Sequence, residues 1–256
     1  MAISVVIHTL NSEATLRECL ESVKSLAEIV VCDMYSEDGT LSIAAQYGAK
    51  IVMHEPCNGI PEPARAFAVA NTSAPWVLVI DSDEVVPGAL CDYLLSVTEG
   101  GDAPDGLWLP RMNYFMGRFM RASFPDYQLR FFKRSSFRGW PPTVHSRPII
   151  EGVTGRVPAG KSLSLVHLDS HSIASIVSKA NNYTLHETER GKAAAGIWML
   201  IVKPFYRFLK MYVIKGGFLD GMPGFIYARL GAFYSFITLS KGVEKKAMPD
   251  KTPRPL

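Results

Sequence analysis

Three carboxylates fall within four residues at Asp81-Ser82-Asp83-Glu84, directly after the apolar run Trp76–Ile80. Like charges this close repel unless a cation or a set of hydrogen-bond donors compensates them. Oxygen ligands at that density suit Mg2+ or Mn2+, which typically takes one or two carboxylates together with substrate phosphates. Two further acidic positions follow another apolar run, Asp33 after Ile29–Cys32 and Asp38 in Asp38-Gly39-Thr40. A lone Asp at a strand end usually caps a helix or is solvated. Clusters at the carboxyl ends of several strands mark where an open α/β sheet binds its ligand.

The elements that must carry these acids are legible as an alternation. Ile3–His8 is a short β-branched run with the pattern of a strand buried on both faces. Asn11-Ser12 offers an N-cap, after which Leu16, Cys19, Leu20 and Val23 recur at helical spacing. Glu28–Asp33 reads as a strand, Leu41–Tyr47 as a helix closed by Gly48, and Lys50–His54 as a third strand. Ala64–Asn71 is a helix and Trp76–Asp81 a fourth strand. Strands alternating with helices predict an α/β fold with a parallel central sheet. Beyond Leu90 the pattern loosens, with a strand at Gln128–Lys133 and a helix at Ser172–Glu189.

The 256 residues are 48% apolar and 20% charged, a globular composition that excludes a disordered chain. Cys19, Cys32, Cys57 and Cys91 show no C-x-x-C pairing, so they read as reduced structural thiols rather than a zinc or redox motif. Met1-Ala2 runs straight into Ile3–Ile7 without a basic stretch, so no signal peptide is expected and the chain is expected in the cytoplasm. Residues 1–197 hold 17 Lys and Arg against 21 Asp and Glu, whereas residues 198–256 hold 10 against 3. A basic, aromatic segment joined to a mildly acidic domain points to an anionic surface, either nucleic acid or a membrane leaflet.

A span needs about 20 mostly apolar residues. Gly221–Ala228 and Leu230–Ser240 are separated by Arg229 and interrupted by Pro223, Gly224 and Gly231, so no span is expected. Ile197–Tyr212 sets Lys203, Arg207 and Lys210 at helical spacing among Trp198, Phe205, Phe208 and Tyr212. That pattern fits an amphipathic helix lying in a membrane interface. The alternative is a helix covering a flank of the domain, its basic face solvated.

Together the motifs resemble the family 2 glycosyltransferases of the GT-A fold. Asp81-Ser82-Asp83-Glu84 looks like that family's DxD(E) motif, and Val5–Glu13 resembles its first strand and nucleotide loop. Asp33-Met34-Tyr35-Ser36-Glu37-Asp38-Gly39-Thr40 is similar to its D-x-x-S-x-D-G-T segment. Pro125–Phe132, Val144-His145 and Gly216–Gly221 are similar to the branch that glucosylates the lipopolysaccharide inner core. The resemblance implies that Thr9, Leu10 and Glu13 line the nucleotide, that Asp33 bonds the uracil, and that Asp81 and Ser82 lie near the ribose. It implies that Asp83 ligates a Mg2+ or Mn2+ on the diphosphate, that Arg65 faces the donor, and that Arg130 lies on the acceptor side. Ala66 stands where the family usually has Asn after that Arg, and Ser146 where it often has Glu in Val-His-Glu.

Glycosyl transfer develops negative charge on the departing diphosphate, which a divalent cation and a basic group stabilise. An inverting enzyme also needs a general base for the acceptor hydroxyl. With Glu absent at Ser146, Asp126 is the first candidate and His145 the second, His145 being alternatively a metal ligand. The expected organisation is a GT-A catalytic domain over 1–190, its nucleotide-sugar half being 1–90 and its acceptor-side half 91–190. A basic amphipathic helical extension over 191–248 and a tail over 249–256 follow. The expected partners are a UDP-sugar (UDP-glucose foremost), a lipid-linked saccharide acceptor, and an anionic membrane touched by Trp198, Lys203, Phe205, Arg207, Phe208 and Lys210. The expected place is the inner face of the cytoplasmic membrane. A nucleotidyltransferase is the rival enzyme, but its Gly-rich basic first loop is missing from His8–Glu13. A membrane-associated nucleotide-sugar-binding protein without turnover is the rival outside enzymes. Nucleic acid is disfavoured by the acidic first 197 residues.

Overall fold

The structure, a computed structural model, describes residues 2–56, 62–142, 146–168, 172–189 and 196–247. Its contacts divide the chain into two units, one of residues 1–114 and 124–170, the other of residues 115–123 and 171–256.

The first unit is built in chain order from β1 (Ile3–Thr9), α1 (Glu13–Val23), β2 (Glu28–Asp33), α2 (Thr40–Gln46), β3 (Lys50–Met53), α3 (Glu62–Ala70) and β4 (Trp76–Asp81). It continues through β5 (Glu84–Val85), α4 (Gly88–Glu99), β6 (Gly106–Leu109) and β7 (Arg111–Phe115), whose last residue already belongs to the second unit. The short β8 (Arg118–Phe119) lies in the second unit, and β9 (Gln128–Lys133), β10 (Phe137–Gly139), β11 (Ile149–Ile150), β12 (Thr154–Arg156) and β13 (Leu165–His167) complete the first.

Seven strands form the main sheet in the order β12-β6-β9-β4-β1-β2-β3. β3, β2, β1 and β4 run parallel, as the alternation of strands and helices requires, and β9 enters antiparallel between β4 and β6. Every residue of β1 is buried, which is why it reads as a continuous apolar run rather than an alternation. Its odd residues Val5 and Ile7 pack with Leu16, Leu20, Leu90 and Leu94 of α1 and α4. Val6 packs on the opposite face with Ala64 and Ala68 of α3. Trp76 and Phe131 stack across β4 and β9 with ring centroids 4.8 Å apart. Each such fully buried large side chain contributes roughly 1.5–3 kcal/mol.

Gly48 closes α2 with φ +67°, the left-handed conformation a C′ glycine supplies. The N-cap expected of Ser12 differs in one respect. Its carbonyl accepts from Thr15 and Leu16, but its hydroxyl makes no cap bond and instead accepts from Ser82 Oγ at 2.8 Å. The side chain ties two loops at the strand ends rather than the helix.

A smaller sheet positions the chemistry. β13 pairs antiparallel with β5, His167 opposite Glu84, and parallel with β7, His167 opposite Asn113. Cys19, Cys32 and Cys91 are buried free thiols, as expected of structural cysteines; Cys57 lies outside the described residues.

The second unit holds α5 (Ile173–Glu189), α6 (Ile197–Leu209) and α7 (Gly221–Ala247), α7 packing against both others. Lys241 of α7 donates to Asn181 O and Thr184 Oγ1 of α5, each at 2.6–2.8 Å. The expected boundary at residue 190 therefore falls earlier, after Ser170, because α5 joins the helices rather than the sheet. No described helix is long and apolar enough to cross a membrane.

α6 has no buried residue, and Trp198 is 75% exposed. Ile201, Val202 and Phe205 are exposed beside it, with Lys203 and Lys210 also in solvent. Two residues expected on that open face also contact α7, Phe208 half-buried and Arg207 exposed. Phe208 stacks on Tyr212 and meets Phe225 edge-on at 5.7 Å, and Arg207 donates to Ser235 Oγ at 3.3 Å while lying over Tyr234.

Candidate active site

The loops after β1, β2 and β4 are laced into one platform. Asp33 accepts from Thr9 Oγ1 at 2.7 Å, from Ser36 N at 2.7 Å and from Ser36 Oγ at 2.6 Å. Asn11 N–H donates to Ser36 Oγ, and Glu37 N–H donates to Asn11 Oδ1. Glu13 accepts from Gly39 N, and its own N–H donates to Asp38. A Cβ at Gly39 would lie 2.8 Å from the Glu13 carboxyl carbon, so only glycine lets this approach happen. Asp33 is fully buried and accepts these three bonds within the loops, so it braces the platform. The Thr9 hydroxyl and the Glu13 carboxylate are likewise used in bracing, while Leu10 and Tyr35 stand exposed at the rim.

The clustered acids of 81–84 are compensated mainly by guanidinium groups. Asp81 accepts from Arg65 Nη2 at 2.7 Å and from Arg130 Nη2 at 2.6 Å. Glu84 accepts from Arg111 Nη1 at 2.9 Å and from the Asp81 N–H at 3.0 Å. Burial opposes the charge on Asp81, but Arg130 and Arg65 hold its carboxyl well below the usual range. Burial and the adjacent Arg65 push His8 down to about 3, so it adds no charge here. Arg130, expected on the acceptor side, is thus a partner of the strand-end acid. Arg65 rests over the Trp140 ring at 5.0 Å. Its Nε and Nη1, and Nη1 of Arg130, are buried without a hydrogen-bond partner among the described residues. Such orphaned charged donors are costly unless a ligand or water meets them.

Asp83 faces an imidazole that the sequence reading missed. His167 Nε2 lies 3.3 Å from Asp83 Oδ2, and its Nδ1 is 3.0 Å from Asn113 Oδ1. An amide oxygen can only accept, so His167 Nδ1 carries a proton; in the imidazolium Nε2–H donates to Asp83, and in the neutral ring Nε2 offers its lone pair on that side. Burial lowers the imidazole pKa, but the bond and charge of Asp83 outweigh it and the net shift is upward. Asn113 Nδ2 in turn donates to Asp126 Oδ2 at 3.1 Å. The line Asp126–Asn113–His167–Asp83 orients the ring as outer partners orient metal-bound histidines. One carboxylate and one neutral imidazole suit Mn2+ or Mg2+ when substrate oxygens complete the shell. Among the described residues, no group of three or more acidic, His or Cys side chains could hold a metal alone.

Asp126 cannot easily be the base that the sequence suggested. Besides Asn113, it accepts from Arg111 Nε and Nη2 at 3.0 and 2.7 Å and from Gln128 Nε2 at 2.9 Å. Burial works against its charge, yet Arg111 and these donors hold the carboxyl below its usual value. A carboxylate so bound is a weak proton acceptor. Its depressed folded pKa means a stability contribution present above the unfolded value of about 4 and lost as pH falls through the folded one. Asp126→Asn is therefore expected to cost about 1.5–3 kcal/mol at pH 7, the difference shrinking in urea melts at pH 3. Transfer per folded molecule should fall less than the ~10²–10⁴-fold loss of a general base. His145 lies outside the described residues.

An open, mostly parallel α/β sheet with acids at its strand ends and flanking helices is a GT-A-type architecture. Residues 4–145 match the family described as glycosyl transferase family 2. The chain belongs to that family. It is 31% identical over 97% of its length, and 94% of the other protein, to the lipopolysaccharide core biosynthesis glycosyltransferase LpsC of Rhizobium meliloti. It is 27% identical over 93% of its length, and 88% of the other, to an uncharacterized glycosyltransferase of Rickettsia felis. Among solved structures it is similar in fold to S. aureus TarS 1-349, with a TM-score of 0.53, 14% identity, and coverage of 99% and 93% of the two chains. The mannosyltransferase PcManGT from Pyrobaculum calidifontis, in complex with GDP-Man and Mn2+, gives a TM-score of 0.57 at 13% identity, covering 95% and 87%.

Proposed function

We propose that the protein is an inverting hexosyltransferase. It moves a sugar, glucose foremost, from a UDP-sugar to a lipid-linked saccharide such as a lipopolysaccharide core, working on the inner face of the cytoplasmic membrane. The observations that carry the donor half are the Asp83–His167 pair and, on the Asp81 of the same strand-end cluster, Arg65 and Arg130 with buried guanidinium N–H groups that have no hydrogen-bond partner among the described residues. Asp83 and His167 would hold a divalent cation, which supplies Lewis-acid stabilisation of the diphosphate leaving group. Arg65 adds fixed positive charge there without reorganisation, since Asp81 and Trp140 already set its position. Asn113 keeps the His167 proton on Nδ1, and Asp126 keeps Asn113 in place. The acceptor proton needs another group, and of the two sequence candidates His145 remains. The relationship to LpsC supports the lipid-linked acceptor, and the exposed aromatic and lysine residues of α6 support the membrane site.

Screening donor hydrolysis across UDP- and GDP-sugars, with Mn2+ or with EDTA, tests this reading. Hydrolysis of a UDP-hexose that needs the metal is expected. Turnover of none, with nucleotide binding intact, would instead favour a sugar-nucleotide-binding protein.

A further inference from the structure

The turn between α6 and α7 combines a tightly determined backbone with an apolar tip. Its first part, Lys210–Ile214, is π-helical, with Lys215 N–H donating to Lys210 O at 2.9 Å. Gly216 and Gly221 then take left-handed φ values of +73° and +66°. A Cβ at Gly217 would lie 2.7 Å from Met211 O, and one at Gly224 would lie 2.0 Å from Gly217 O. Both contacts are with backbone, so neither can yield to a side chain. Asp220 is buried and reaches toward Ala122 N at 3.4 Å, while Arg121 donates to Leu219 O at 3.1 Å. Four glycines and a buried acid thus fix the path of this turn.

What the fixed path presents is apolar. Val213, Ile214, Phe218, Leu219 and Met222 are all exposed, Ile214 at 71% and Met222 at 69%. Flexible loops shed apolar side chains at little cost; a locked turn that displays five of them shows a surface made for a partner. Lys210 and Lys215 stand exposed on the same turn, and Lys203 on the adjoining helix. A two-fold contact between copies of this face would set like-charged lysines against one another. An anionic lipid surface satisfies both features, the apolar tip entering the acyl boundary and the lysines meeting headgroup phosphates.

We propose that residues 213–222 form a second membrane-inserting element, separate from the open face of α6, and that its partner is an anionic lipid leaflet. Two footings on one helical unit fix its orientation on the membrane, which a single interfacial helix leaves free to roll. The inference rests on the membrane reading above and deepens it.

Flotation of the full chain with phosphatidylglycerol-containing vesicles tests both and separates them. Ile214→Ser/Leu219→Ser/Met222→Ser changes only exposed side chains, so its thermal melt and soluble donor hydrolysis should match wild type. Its partitioning should fall at least ~10-fold, more steeply as salt is raised, because the salt-resistant apolar part is lost. Lys203→Glu/Lys210→Glu/Lys215→Glu should lose partitioning at low salt, by roughly fivefold or more per lysine. In Phe218→Trp, brominated lipids should quench the new indole. Wild-type flotation with an unquenched Phe218→Trp, or with full binding by the triple serine variant, overturns the second element and leaves the α6 reading standing. No flotation of wild type overturns both, and a wild-type dimer dissolved by the serine changes shows the tip to be a contact between copies.

Discussion

His167→Ala and Asp83→Ala are each expected to lower transfer by ~10²–10⁴-fold, because a metal's Lewis-acid stabilisation is worth several kcal/mol and each 1.36 kcal/mol is tenfold. The two losses should not add. Either change dismantles the same pair, whose atoms stand 3.3 Å apart, so the double variant should resemble the singles. Asn113→Ala should show a milder form of the defect, roughly 10–100-fold in metal affinity, as expected of a group that only orients a ligand. Stopped assays over a Mn2+ series measure all four. Single variants that retain wild-type rates at saturating donor would remove Asp83 and His167 from the metal's surroundings.

The second large effect concerns stability. The Glu84 side chain is fully buried, and Arg111 is its close partner, with Arg130 next at 3.7 Å. Arg111→Ala leaves that carboxylate short of its main compensation and frees Asp126 as well. Removing one member of a buried pair costs about 3–5 kcal/mol. At roughly 2–4 °C per kcal/mol for a domain of this size, the melting temperature should fall by about 6–20 °C. Adding Glu84→Gln should restore part of the loss, since the orphaned charge disappears. Thermal melts of the single and double variants decide it, and a single variant within about 1 kcal/mol of wild type would mean that solvent or relaxation already compensates Glu84.

Much of the fold is readable along the chain because β1, β2 and β4 are fully or largely buried and so leave apolar runs between turn residues. The acids at their ends are readable for the same reason. Their compensation is not. Arg65, Arg111 and Arg130 reach Asp81 and Glu84 from 16 to 49 residues away, through α3, β7 and β9, and no local pattern announces such a meeting. The density of charge at 81–84 suggested a cation held by Asp83, but not the three guanidinium groups that compensate Asp81 and Glu84, nor the imidazole that faces Asp83.

His167 escaped notice because β13 has only three residues, too few to show a period. A signal was present nonetheless. The chain holds two Val-His pairs, Val144-His145 and Val166-His167, and the family resemblance drew attention to the first. Asp126 stood out in sequence as an isolated acid among aromatics, but its four hydrogen-bond donors come from residues 111, 113 and 128, visible only once β7 and β9 are folded. In α6 the spacing marked a helix, which Ile197–Leu209 forms. Which aromatics pack inward depended on Phe225 of α7, and that pairing is beyond any single-helix pattern.

Calorimetric titration of UDP tests the central claim most directly. Wild-type protein should bind UDP in the presence of Mn2+ and at least ~10-fold more weakly in EDTA, while His167→Ala and Asp83→Ala, folded by their melts, should bind weakly whether or not the metal is present. UDP affinity that is identical in Mn2+, in EDTA and in both variants would contradict the assignment of this pair as the metal-holding centre of the donor site.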